Sequence, residues 1–467
     1  MAIQGPGDFL FKKLRIVAAN IAVHSPLGFA AQYGQGGWGT MAKSIAKIFL
    51  GDVHVTKNLV LLLVIGGLYA ISIALSNTFV NIFLWKQSGE VSDIALYQLA
   101  SVATQPVAFL IAGYISKKAD RIISLRLGVF ILTAFYLTVL FAGDKADNIL
   151  VLLGILLGMG FGFYWLGYNV LTFEITEPDT RDFFNGFAGL LTSFAGMIGP
   201  ISAGAIITWL PDTRGYEAIF FISFVLFITA VLLSFKMKHR HAEGPLRVNK
   251  AVAEIKENTA WRKVLYSHFI QGLREGIFVF VIVLWVYMAT NSELALGSYG
   301  LVTSAVSFAG YFLVSRFLKP FQRKRAIFIG GILLFGAVFL IVFNLSYPLL
   351  MTYGIIVSAA YPLLLVPYVS LTYDVLGQAT SAGAMRVEYL ITKEWFINGG
   401  RAASIILLLL GIAIWDDKQI IPLLMVICGS GHFFIYFLIR GIKMKSMRNK
   451  KDANSGMPEN GGGDSLN

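Results

Sequence analysis

Cysteine is nearly missing from this chain: Cys428 stands alone among 467 residues, inside an apolar run. A single thiol excludes a disulfide framework and a metal–thiolate centre. Charge is scarce as well, at 14% Asp, Glu, Lys and Arg, where a soluble domain carries roughly 25%. Glycine-rich phosphate loops, clustered His/Cys/carboxylate ligands and nucleophile elbows are all absent from the sequence. Their absence argues against an ATP-driven pump and a membrane-embedded enzyme, and implies no cofactor and no metal. No secretory signal peptide is recognisable, because the first long apolar run begins near residue 58 and no small-residue cleavage pattern follows it.

What is abundant is apolar surface: 56% of the residues are hydrophobic and the mean hydropathy is +0.70. Runs of spanning length recur at Leu59–Leu84, Ile94–Ile115, Ile122–Phe141, Ile149–Leu171, Phe187–Leu210, Ala218–Phe235, Val264–Met288, Ser298–Leu318, Ala326–Leu345, Leu349–Leu371, Trp395–Trp415 and Ile420–Ile439. A helix of about 20 apolar residues crosses a bilayer, and only a helix satisfies its own backbone groups there without closing a barrel. The expected fold is an all-α membrane protein of about a dozen transmembrane helices.

The net charge of +12 is explained by where the basic residues sit. With a cytoplasmic N-terminus, the outer loops hold only Lys86, Lys145, Arg214 and Lys418, while Lys117, Lys118, Arg121, Arg126, Arg316, Lys319, Arg323, Lys324, Arg325 and the basic tail fall inside. That is the positive-inside asymmetry, so the charge reports topology and not a nucleic-acid partner. It predicts an inner-membrane protein with both termini cytoplasmic. Trp85, Trp209, Trp285 and Trp415 fall near the outer interface, and Trp261 and Trp395 near the inner one.

The polar stretch Lys236–Lys263 separates six spans from six, which predicts bundles over 57–235 and 264–442 joined by a cytoplasmic linker over 236–263. Ala112-Gly113-Tyr114 recurs as Ala309-Gly310-Tyr311, and Leu171-Thr172-Phe173-Glu174-Ile175 recurs as Leu371-Thr372-Tyr373-Asp374-Val375. The nearly equal offsets imply one duplication, and paired six-helix repeats are a transporter architecture. Residues 1–56 form an extension in which Ala42–Leu50 suits an interfacial amphipathic helix; Met41 is an alternative start. Residues 443–467 read as a disordered cytoplasmic tail.

Over roughly residues 57–442 the chain resembles the major facilitator superfamily. Leu75-Ser76-Asn77-Thr78-Phe79-Val80-Asn81, Leu84-Trp85-Lys86 and Gly272-Leu273-Arg274-Glu275-Gly276 look like a bacterial YqgE-type subgroup within it. Gly113, Ser116, Lys118 and Arg121 fit the superfamily's loop signature after the second helix, with Lys117 where an Asp is expected and Asp120 three residues on. The resemblance implies a monomeric transporter whose partners are the lipid bilayer, a small-molecule solute and protons. It implies rocking of two halves about a central site lined by the first, fourth, seventh and tenth spans. That raises Asn77, Asn81, Tyr168, Asn169 and Tyr368 as solute contacts; as helix-packing groups they would look the same. The fourth span lacks the Arg that many proton-coupled members carry.

Charges within spans are costly unless paired or hydrated. Arg274 and Glu275 lie ten and eleven residues into the seventh span, roughly 15 Å deep. His268, Gln271 and Glu275 share one helical face. Glu275 reads as a proton site with Arg274 tuning it or binding an anionic group, or else as half of a structural ion pair with a neighbouring helix. Glu394, Asn398 and Arg401 form a second such face at the start of the eleventh span, with Arg386 and Glu388 in the approach to it. Gly199-Pro200 in the fifth span resembles the Gly-Pro motif of superfamily antiporters and favours export. Glu174 and Asp374, at repeat-equivalent span ends, are expected to face their own half's basic loop: Lys117, Lys118 and Arg121 for the first, Arg316 and Lys319 for the second. Gly113, Lys117, Arg121, Glu174, Arg316, Asp374, Gly199 and Pro200 are thus gating candidates. The leading function is proton-coupled efflux of a small organic or amphipathic solute. Uptake or facilitated diffusion of a polar solute is the alternative, and a non-transporting scaffold or sensor on the same fold is the rival class.

Overall fold

A computed structural model describes residues 56–175, 178–237, 244–380 and 384–442. The interfacial helix expected at Ala42–Leu50 and the tail lie outside these. The described residues form α1 (Lys57–Ser88), α2 (Val91–Lys118), α3 (Arg121–Ala142), α4 (Leu150–Ile175), α5 (Pro178–Trp209), α6 (Arg214–Ser234), α7 (Val248–Glu257), α8 (Thr259–Thr290), α9 (Glu293–Phe317), α10 (Arg323–Val338), α11 (Tyr347–Gly377), α12 (Arg386–Ile414), α13 (Asp417–Gly429) and α14 (Gly431–Ile439). Eleven helical segments among them are long and apolar enough to cross a membrane. The all-α expectation holds.

Helix ends depart from the apolar runs where polar residues find partners. α12 begins nine residues before Trp395, because the charges preceding the apolar run are accommodated in its first turns: Glu388 binds Lys117 at 2.7 Å and Glu394 binds Lys393 at 2.9 Å. Arg386 and Glu388, in the approach to the apolar run, are therefore helical. α10 ends at Val338, where Phe339, Leu340 and Ile341 turn back onto the carbonyls of Gly336, Ala337 and Val338. Its sixteen residues cover about 24 Å, and the turn carries the chain onward. α13 and α14 meet at Ser430, whose N–H still reaches Val426 O, so they act as one crossing.

α1–α6 pack mainly among themselves, as do α8–α14, and the two groups meet where α2 abuts α12 and α5 abuts α9. We call the side carrying α7 the linker face and the other the opposite face. α7 is amphipathic and caps the linker face. Its buried Glu254 accepts hydrogen bonds from Asn258 Nδ2 (3.1 Å), the Thr380 N–H (3.2 Å) and the Tyr389 hydroxyl. Trp261, wholly buried, donates to Ala251 O at 3.3 Å. Trp261 is thus an internal prop for α7, whereas Trp209 and Trp415 are exposed as interfacial residues should be.

Candidate functional site

Close backbone contact between α8 and α12 creates the site. A Cβ at Gly272 would collide with the Ile397 carbonyl, and one at Gly400 with the Phe269 carbonyl. Gly276 faces the Arg401 backbone in the same way. Small residues let the helices approach until only side chains that interlock fit between them, and the pair that interlocks is Glu275 and Arg401.

Glu275 sits halfway along the 32 residues of α8. Its Oε2 receives Arg401 Nη2 at 2.6 Å and Nε at 3.2 Å. Its Oε1 receives Gln271 Nε2 at 2.7 Å and the Tyr361 hydroxyl at 3.2 Å. Two guanidinium N–H groups thus converge on one carboxylate oxygen as charge-assisted hydrogen bonds, and two neutral donors on the other complete the shell. From Gln271 the chain of contacts continues to His268, whose Nδ1 donates to Gln271 Oε1 at 3.0 Å, and to the Thr372 hydroxyl 3.3 Å from His268 Nε2. On the other side Asn398 accepts from Arg401 Nη1 at 3.2 Å and donates to Glu394 O at 3.0 Å. The two polar faces read separately in the sequence, His268–Gln271–Glu275 and Glu394–Asn398–Arg401, are one network bridging α8, α11 and α12. Tyr361 was missed by the sequence reading. The clue lay in its position seven residues before Tyr368 on α11, hence on one face.

The other residues named from the sequence take the following places. Arg274 does not pair with Glu275; it donates to the Tyr353 hydroxyl at 3.3 Å and lies 4.4 Å from the Phe278 ring centre. Tyr368 is wholly buried inside the α8–α11 packing, 2.9 Å from the Ser267 hydroxyl. Asn81 is held by Gln98 Nε2 at 2.8 Å within α1–α2. Tyr168 belongs to an aromatic stack with Tyr164 at 5.5 Å, its hydroxyl set against Gly66. Asn169 is exposed, and Asn77 lends its carbonyl to Asn81 at 3.4 Å.

Of the gating candidates, Lys117 reaches across the halves to Glu388, at 2.7 Å, and to Ala384 O, at 3.0 Å. Glu388 also accepts the Arg247 N–H at 3.1 Å, so one buried carboxylate ties α2, the linker and α12 together. Gly113 packs on Ile391 beside this bridge, and Trp395 donates to Pro106 O at 3.2 Å deeper in the same seam. Trp395 is accordingly a seam residue and not an interfacial anchor. Asp374 faces its own half's loop as expected, but through Arg323, at 3.0 Å, and not through Arg316 or Lys319. The side chains of Glu174 and Arg316 lie outside the described residues, and Arg121 opens α3 behind its cap Asp120. Gly199 is packed against Ala74 of α1, and Pro200 fits into the gap left by Gly297 and Gly300 of α9. The Gly-Pro motif therefore builds the α5–α9 seam. At the opposite face Glu293, unnoticed in the sequence, binds Lys86 at 2.8 Å and Tyr216 at 2.8 Å, again across the halves. Trp85 and Tyr287 stack edge-on at 5.8 Å beside it.

Eleven helical segments of membrane-crossing length among the described residues, in two packed groups with a buried ionic network in one and polar bridges between them at both faces, define a multi-pass membrane transporter. Residues 59–387 match the Major Facilitator Superfamily, and the chain belongs to that family. It is 53% identical to the YqgE protein of Bacillus subtilis (strain 168) over 415 residues, 89% of this chain and 96% of that protein. It is 59% identical over 170 residues to a Geobacillus stearothermophilus protein encoded in the sodM 3′ region, covering 36% of this chain and 79% of that protein. Among solved structures it resembles the human organic anion transporter MFSD10 (TM-score 0.61, 14% identity, 82% of this chain and 98% of that one). It also resembles the Escherichia coli fucose:proton symporter FucP (TM-score 0.56, 15% identity, 82% and 97%). An outward-facing bacterial homologue of the iron transporter ferroportin is similar to the same degree (TM-score 0.60, 15% identity, 82% and 99%).

Proposed function

We propose that the chain is a proton-coupled secondary transporter of a small organic solute, working by rocking of its two halves, and that Glu275 carries the coupling proton. The observation behind this reading is the four-donor shell around Glu275 midway along α8. While Glu275 is ionised, Arg401 holds α12 to α8 and the shell is complete. A proton on Glu275 removes the charge that Arg401 answers and turns one acceptor oxygen into a donor, so the clamp must open or rearrange. A reversible clamp between helices of one half is a means of biasing an alternating-access equilibrium. Export is the direction favoured by the Gly199-Pro200 seam. The loops holding Lys86, Lys145, Arg214 and Lys418 face outward in this reading, and the linker face inward.

Compounds that raise the melting temperature of the purified protein would be added to proteoliposomes containing a pH-sensitive dye. The wild type should couple compound movement to proton movement. Glu275→Gln should still exchange compound across the bilayer, per folded molecule, while proton movement and accumulation against a gradient vanish. Concentrative transport by the Gln variant at the wild-type level would remove Glu275 from the coupling role. For the orientation, Asp417→Cys in a Cys428→Ser background should react with an impermeant thiol reagent on intact cells; reaction only after permeabilisation reverses the assignment.

A further inference from the structure

Arg274 is left out of the Glu275–Arg401 clamp. It is 5% exposed, its Nε has no hydrogen-bond partner, and among the described residues no carboxylate pairs with it. Elsewhere in the buried part of α8–α14 the charges match: Glu275 answers Arg401, and Glu394 answers Lys393. One guanidinium near mid-membrane therefore lacks a counter-charge, an arrangement that burial makes costly. A second polar group in the same region is also unsatisfied. His432 on α14 is fully buried, neither of its ring nitrogens has a partner, and it lies within electrostatic reach of Arg274.

The surroundings of these two groups are aromatic. Phe278 lies under the guanidinium, Tyr353 touches its edge, and Tyr299 and Tyr361 lie within its electrostatic reach. Tyr299 has room because it rests against Gly354, where a Cβ would meet its ring at 2.6 Å. Tyr361 stands between this region and the clamp. Its ring centre is 5.8 Å from that of His432, while its hydroxyl binds Glu275.

We propose that Arg274 is the counter-charge for an organic anion, a carboxylate on a compact apolar body, bound between α8, α9, α11 and α14 with His432 as its second polar partner. The guanidinium fork matches a carboxylate in two-point contact, and aromatic walls with a few convergent polar groups suit an apolar body. Tyr361 then links solute to clamp, since an anion at Arg274 comes to rest beside the residue that completes the shell of Glu275. This inference rests on the chain being a solute transporter and not on proton coupling.

The test uses the purified full chain in detergent, with no proton gradient, so it is independent of the coupling experiment. Thermal unfolding is followed with benzoate and hexanoate, with their amides benzamide and hexanamide, and with chloride. At least one acid should raise Tm saturably, with an apparent affinity about 10-fold or more above its amide, the margin expected for hydrogen bonds to a charged group. Arg274→Gln should abolish that response and raise the ligand-free Tm by ~2–5 °C, since it removes an unmatched buried charge. Arg274→Lys should keep the charge and part of the response. Equal responses to acid and amide, no response to either acid, or chloride matching the acids at equal concentration would overturn the organic-anion site. A ligand-free Tm that falls in Arg274→Gln as far as it falls when Arg401 is removed would show an ordinary structural cation and overturn it too.

Discussion

The two halves share short matching sequences at nearly equal offsets yet bury their polar residues in opposite ways. In α1–α6 the middle of the bundle is neutral among the described residues. Tyr69 stacks on Tyr164 at 3.7 Å, Tyr136 on Phe227 at 5.5 Å, and two polar pairs close within the half, Gln98 with Asn81 and Ser223 with Ser72 O. In α8–α14 the corresponding depth holds Arg274, Glu275, Lys393, Glu394 and Arg401 with two buried histidines. The repeat offset of 197 residues sets Arg274 and Glu275 opposite Asn77 and Thr78. A neutral polar pair can stay satisfied in every state of a rocking cycle, whereas an ion pair has a state in which it must separate or be neutralised. The difference suggests a division of labour, with the first half as the stiff partner and the second as the half that responds to charge.

The largest effect expected of this contrast comes from Arg401→Met. It leaves Glu275 ionised with only Gln271 and Tyr361 as donors, and removing one partner of a buried pair costs about 3 kcal/mol. Chemical or thermal unfolding in detergent should show it, with Asn81→Ala in the first half costing far less. The double variant Glu275→Gln/Arg401→Met should recover much of the loss, because the uncompensated charge is gone. Equal losses for Arg401→Met and Asn81→Ala would erase the distinction between the halves.

A smaller effect on stability is expected at the seam. Lys117→Ala leaves the buried Glu388 with the Arg247 N–H as its remaining donor and should cost about 2 kcal/mol. Its consequence should be conformational. Ile391→Cys, buried against Gly113 in the wild type, should react several-fold faster with a thiol reagent once Lys117 is gone. An unchanged rate would mean that α2 and α12 stay closed without the bridge, and that the halves are held by packing alone.

The all-helical class was legible from composition alone. So were the crossings to within a few residues at most ends, since runs such as Leu59–Leu84 and Ile122–Phe141 carry the signal for lipid in their own residues. Most residues of the Glu275 network, Tyr361 excepted, were legible too, as intramembrane charges and the polar residues that share their helix faces. An ion pair of Glu275 with a neighbouring helix was one of the two readings; which residue supplies it was not written along the chain. Successive helical residues point about 100° apart, so Arg274 turns away and the partner comes from α12, 126 residues on. The bridges between halves escaped for a similar reason: Lys117 is 271 residues from Glu388, and Lys86 is 207 from Glu293.

What the sequence determined by itself is the solvent each segment lives in, because hydrophobicity is a property of single residues summed along a helix. It also named the residues too costly to bury alone. Which of those charges neutralise one another was decided only when Gly272, Gly276 and Gly400 brought α8 and α12 into backbone contact. That approach put Arg401 onto Glu275 and turned Arg274 away toward Tyr353. An ion pair depends on the distance and direction between two side chains, and in a helix bundle both are set by packing between segments far apart in the chain.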